Sequence, residues 1–129
     1  MTELETIETG DAPAPAGHYA QAIRVNGMLY VSGQLPVEVD RTVRSDLAFE
    51  DQVRLAMANA LAILKAGGCG PDRIARVTAY IVGVDNWPRF NMVYAQMLGD
   101  ARPARTVVPV TELHHGCLVE IDAIGAPAA

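Results

Sequence analysis

Apolar residues return along this chain with two different periods, and the changes of period mark its elements. Two short runs, Ala22 to Val25 and Met28 to Val31, flank the pair Asn26-Gly27. Asn-Gly suits a type I′ turn because both positions take positive φ, so the pattern predicts a β-hairpin. Ser32-Gly33-Gln34-Leu35-Pro36 then ends the second strand, since glycine loosens the backbone and proline donates no ladder hydrogen bond. Between residues 48 and 66 the apolar positions become Val53, Met57, Ala60, Leu61 and Leu64, the three-and-four spacing of one helical stripe. Ser45 or Asp46 is the expected N-cap, Glu50 and Asp51 suit the positive first turn, Lys65 suits the last, and Gly67-Gly68 offers a left-handed stop.

Pro71 to Ile74 reads as a turn into a strand over 76–82, which is apolar on both alternating faces in its second half and therefore expected to be buried on both sides. A second helix starts at Asn86-Trp87-Pro88, capped by Asp85 or Asn86. It carries Phe90, Val93, Tyr94 and Met97 on one stripe and closes at Gly99. Strands over 106–110 and 118–124 follow, joined by a polar stretch with two histidines. Residues 1–16, acidic and then rich in Pro and Ala, read as an arm that forms no core element, which leaves 17–129 as one domain.

The order is ββαβαββ, an α+β fold. Two helices cover one face of such a five-stranded sheet, so the apolar residues of the other face call for a neighbouring subunit. Alternation along the last strand sets Leu118, Glu120, Asp122 and Ile124 on one side and Val119, Ile121 and Ala123 on the other. If the first set faces the neighbour, two carboxylates lie at or near an interface.

Composition narrows the function classes. A chain of 129 residues, half of them hydrophobic, fits a single domain. Fifteen acidic residues against ten basic ones give a net charge of -5, which offers no field for a phosphate backbone. Cys69 and Cys117 make no disulfide framework. No apolar run reaches the roughly 20 residues that cross a bilayer, and the N-terminus lacks a basic and apolar leader. A soluble protein in a reducing, cytoplasmic setting is expected. The possible metal ligands His18, His114, His115, Cys69 and Cys117 lack paired spacing, so no metal site is expected. No nucleophile elbow or phosphate-cradling loop occurs.

Arg105 and Glu120 remain. Taken singly, they read as a surface cation and an edge-facing carboxylate. Lining one cleft, they would let a guanidinium hold a substrate carboxylate through two parallel hydrogen bonds while the glutamate polarises a water.

At these residues the sequence resembles the reactive intermediate deaminases of the RidA/YjgF type, once grouped as translation inhibitors. The matching segments are Gly17-His-Tyr-Ala-Gln-Ala22, Leu29-Tyr-Val-Ser-Gly-Gln-Leu-Pro36, Leu61-Ala-Ile-Leu-Lys-Ala-Gly-Gly68, Phe90-Asn-Met-Val-Tyr94, Pro103-Ala-Arg-Thr106 and Val119-Glu-Ile-Asp-Ala-Ile124. The resemblance implies a chorismate-mutase-like α+β fold, a homotrimer with its sheets packed inward, and clefts between subunits. It implies hydrolysis of 2-imino and enamine acids, such as 2-aminoacrylate/2-iminopropanoate and 2-iminobutanoate released by pyridoxal-phosphate enzymes, to 2-keto acids and ammonia, without cofactor or metal. It gives Arg105 the substrate carboxylate and Glu120 the attacking water. Tyr19, Ser32, Gly33 and Asn91 line the cleft, and the Val107 backbone helps to hold the imine nitrogen or water.

Three departures from the family pattern touch the cleft rim: His18 replaces a proline, Val107 a cysteine and His114 a proline. Two other readings stand beside the deaminase. One is a cleft that binds small carboxylates without turnover, and the other is a deaminase of bulkier catabolic enamines. The ribonuclease activity attached to some members is disfavoured by the net charge.

Overall fold

The computed structural model describes residues 3–128. Its strands are β1 (Glu5–Ile7), β2 (Ala22–Val25), β3 (Met28–Gln34), β4 (Ile74–Val82), β5 (Ala104–Val110) and β6 (Val119–Gly125), and its helices are α1 (Phe49–Ala66) and α2 (Trp87–Leu98). All six strands form one sheet in the order β1-β2-β3-β6-β4-β5, with β4 and β5 parallel and every other pair antiparallel. β6, last in sequence, therefore lies inside the sheet with β3 and β4 on either side, and β5 is an edge.

The hairpin forms as the Asn-Gly pair predicts, with Asn26 at φ 52° and Gly27 at φ 73°. α1 begins at Phe49, and its N-cap is Ala48 rather than Ser45 or Asp46. Arg44 holds the Asp46 carboxylate, so it does not cap the helix. The buried Gln52 ties the helix entry down instead, donating to the Ser45 and Leu47 carbonyls and accepting from the Leu118 amide. At the other end Gly68, at φ 89°, takes the left-handed conformation. Asn86 is the N-cap residue of α2, as expected, although its side chain donates to the Val82 carbonyl and makes no capping hydrogen bond.

Val53, Met57, Ala60 and Leu64 of α1 and Phe90 and Val93 of α2 bury their stripes against Leu29, Val77, Ala79, Ile81, Val119 and Ile121 of the sheet. Each large side chain buried in this way stabilises the fold by about 1.5–3 kcal/mol. The alternation read from β6 holds, with Val119, Ile121 and Ala123 buried and Glu120, Asp122 and Ile124 only half-buried.

Two expectations are corrected. The arm is not outside the sheet: Glu5, Thr6 and Ile7 pair with Arg24, Ile23 and Ala22, and Ile7 and Ala12 join the core. A three-residue strand is too short to show a period, so its pairing is invisible in the sequence. β4 is not buried on both sides within one chain. Val77, Ala79 and Ile81 are fully covered, whereas Thr78, Tyr80 and Val82 are half-buried on a face without helices. Tyr30, on that same face, is 46% exposed.

Candidate active site

The site begins at an irregularity in β3. Val31 pairs with Ala123 and Gln34 with Ile121, so three steps on β3 match two on β6, and Ser32-Gly33 forms a bulge. The bulge is pinned: the Ser32 amide donates to the Gln21 carbonyl at 2.9 Å, and the Ser32 hydroxyl donates to the Ala20 carbonyl at 2.6 Å. A β-carbon on Gly33 would stand 2.5 Å from Oε2 of Glu120. A side chain at this position would displace the Glu120 carboxylate, which lies directly against the backbone.

Glu120 faces a cavity of about 550 Å³. Its lining includes Tyr19, Ser32, Gly33, Arg41, His114 and His115. Burial pushes the Glu120 carboxyl above the usual carboxylate range; neighbouring Asp122 pushes the same way, and His114 opposes both. Asp122 is also raised by burial, against hydrogen bonds from Thr78 and Tyr80. A carboxylate lifted in this way is a better proton acceptor than a solvated one. Tyr19 is half exposed, and its hydroxyl accepts from the Ala16 amide at 3.2 Å.

One wall of the cavity was hidden in the sequence. Gln21, only 2% exposed, accepts from the Thr9 amide and donates to the carbonyls of Thr9, Ala12 and Pro13. It fastens the proline-rich segment along the cleft, where Pro13, Ala14 and Ala16 become lining. Of the three departures noted above, His114 lines this cavity, His18 is exposed and absent from its lining, and Val107 is buried on β5.

Arg105 lies elsewhere. Its guanidinium donates to Oδ1 of Asn91 at 2.9 Å and stands 5.0 Å from the Tyr94 ring centre and 5.8 Å from that of Phe90. These rings fix a cation from below, and among the described residues only Asn91 takes a hydrogen bond from its N–H fork. The Tyr94 hydroxyl beneath it is buried with no hydrogen-bond partner among the described residues, and burial raises its pKa. Tyr94 was legible only as part of the helical stripe.

The predicted residues thus fall into two groups: Tyr19, Ser32 and Gly33 around Glu120, and Asn91 and Val107 around Arg105. Register separates the groups. Arg105 pairs with Val77, and Glu120 with Tyr80, three residues further along β4. An odd separation puts the two side chains on opposite faces of the sheet. A single chain therefore does not bring Arg105 and Glu120 to one ligand. Among the described residues no three His, Cys, Asp or Glu side chains gather as a metal-holding group.

The family model described as endoribonuclease L-PSP matches residues 9–126. The chain belongs to this family, the RidA/YjgF group. A RutC family protein of Pyrococcus horikoshii is 37% identical over 93% of this chain and 95% of its own length. Among solved structures, RidA from the Antarctic bacterium Psychrobacter superposes with a TM-score of 0.89 at 31% identity, covering 95% of this chain and 98% of that one. Escherichia coli TdcF with bound serine gives 0.89 at 30% identity over 96% and 99%. The RidA-type fold is shared throughout.

Proposed function

We propose that the protein hydrolyses reactive 2-imino and enamine acids to 2-keto acids and ammonia, in clefts that two copies of the chain complete together. The observation that carries this reading is Glu120, a half-buried carboxylate raised above its ordinary range and laid against the Gly33 backbone in a cavity large enough for a small acid. Arg105 supplies the complement. It is a guanidinium held by Asn91 and two rings on the edge strand β5, where a second copy's cleft can meet it. The serine held by TdcF is itself a small amino acid carboxylate.

A protonated imine is already electrophilic, so orientation and a mild base suffice. Arg105 fixes the α-carboxylate. Glu120 takes a proton from water as the oxygen bonds to the imine carbon and the C=N π pair moves to nitrogen. Glu120 then returns the proton to nitrogen, the C–N bond breaks with its electron pair leaving on ammonia, and the new hydroxyl passes its proton to that ammonia as the carbonyl forms. The sum is iminium plus water to ketone plus ammonium. No cofactor enters these steps, and the partner of the reaction is the small acid itself, released by pyridoxal-phosphate enzymes without stable binding.

The test is 2-keto acid formation from 2-iminopropanoate or 2-iminobutanoate generated in place by an amino-acid oxidase, with semicarbazide competing for the imine. Wild type should accelerate it, and Arg105→Ala should abolish the acceleration while the assembly keeps its mass. Equal acceleration by wild type and variant would overturn the site. A cleft that binds 2-oxobutanoate through Arg105 without accelerating hydrolysis would instead be a binding module.

A further inference from the structure

Among the described residues, three other than glycine take positive φ: Asn26, Arg41 and His115. Asn26 is explained by its hairpin turn. Arg41 and His115, at φ 76° and 60°, sit in two loops far apart in sequence, yet both line the cavity that holds Glu120. A left-handed turn position is served with least strain by glycine, and such outliers are found where a side chain has to be aimed.

The Arg41 turn is well fixed. The Glu38 amide donates to the Thr42 carbonyl, the Arg41 amide to the Glu38 carbonyl, and the Thr42 amide to Oδ1 of Asp40. Nearby acids are already engaged, since Arg44 takes both Glu38 and Asp46. The Arg41 guanidinium is left with one long hydrogen bond, 3.4 Å to the Pro15 carbonyl, and no ion pair among the described residues. In the same lining, His115 and His114 hold their rings 3.7 Å apart, centre to centre. Apart from Glu120, the ionising side chains of the lining are Tyr19, Arg41 and these two imidazoles. An anion entering beside the Glu120 carboxylate needs such donors to offset the repulsion.

We propose that Arg41, with the ring N–H groups of His114 and His115, forms a second anion subsite, and that the substrates are 2-imino acids bearing a distal carboxylate, the imines of acidic amino acids. This rests on the deaminase reading, with Arg105 on the α-carboxylate and Glu120 on the water, and adds what the substrate's side chain carries. The aliphatic imines would then be poorer substrates of the same site.

The experiment compares kcat/KM for imines generated in place from glutamate or aspartate with those from alanine or 2-aminobutanoate, in wild type, Arg41→Gly and Arg41→Lys. Wild type should favour the dicarboxylate imine by about tenfold, Arg41→Gly should lower that ratio by about tenfold, and Arg41→Lys should keep part of it. Arg41→Gly should melt no lower than wild type, since glycine fits the turn. No preference in wild type, or a preference unchanged in Arg41→Gly, overturns the subsite while the deaminase reading stands.

Calorimetric titration with 2-oxoglutarate and 2-oxobutanoate separates the two ideas. If no imine is hydrolysed, yet 2-oxoglutarate binds more tightly than 2-oxobutanoate and loses that margin in Arg41→Gly, the subsite stands and the deaminase reading falls. Equal binding of the two keto acids removes the subsite in either case.

Discussion

Gly33 and Glu120 constrain each other atom by atom. Any β-carbon at 33 would collide with Oε2, so Gly33→Ala should move the carboxylate and cut turnover while leaving the sheet formed. Retained activity in that variant, measured by keto acid release, would show that the position of the carboxylate is not critical. Glu120→Gln removes the proton acceptor and should cost at least about 100-fold in kcat. Its effect on stability has the opposite sign. The folded Glu120 carboxyl titrates above its ordinary 4.5, so folding favours the protonated form. Its contribution is fully present below the ordinary range and is lost as pH rises through the raised value. Glu120→Gln should therefore gain melting temperature relative to wild type near pH 8, and the gain should vanish near pH 4. At this scale the sequence was informative wherever chemistry broke a pattern. Glu120 stands out as a carboxylate inside an apolar run, and Arg105 begins a strand. Arg41 and His115 were silent, because their placement depends on backbone angles that neither period nor residue type reveals.

Elements differ in how plainly they were written. α1 and α2 repeat their stripe over several turns, and Asn26-Gly27 admits essentially one turn geometry, so all three were readable within a residue or two. The α1 cap was misjudged, because Asp46 found another partner in the folded chain, whereas Asn86 holds the expected N-cap position of α2 and only its side chain bonds elsewhere. β1 was missed altogether. It is three residues long, and what fixes the segment after it is a distant side chain, Gln21, whose amide saturates the backbone of Thr9, Ala12 and Pro13. That dependence is testable. Gln21→Ala strands these backbone groups, half-buried at Thr9 and Pro13 and buried at Ala12, and should destabilise the fold by about 1 kcal/mol or more, read as a lower urea midpoint with an unchanged slope. Amide exchange of Thr9 should accelerate more than that of the α1 core. If the stability fell with no preferential loosening at Thr9, Gln21 would be acting only as a packed side chain.

At the scale of the whole molecule, the open sheet face and the division of the site argue for the same assembly. Ile23, Tyr30, Tyr80, Val108 and Ile124 share the face that no helix of the chain covers, and the expectation of a homotrimer with inward sheets would bury it. The parity of β4 puts Arg105 on the helix-bearing face and Glu120 on the open one, so the proposed deaminase site would draw Arg105 from one copy and Glu120 from the next. This makes a quantitative demand on mixed assemblies. Arg105→Ala and Glu120→Gln are each expected to be inactive alone. Unfolded together in equal amounts and refolded, they assemble at random. A cleft works only where the copy lending the arginine carries the glutamine substitution and the copy lending the glutamate carries the alanine, so about one site in four recovers. Mixing without unfolding should recover nothing until subunits exchange. A refolded mixture with no more activity than its parents would mean that each chain assembles its own site, and that the register seen along β4 does not govern catalysis.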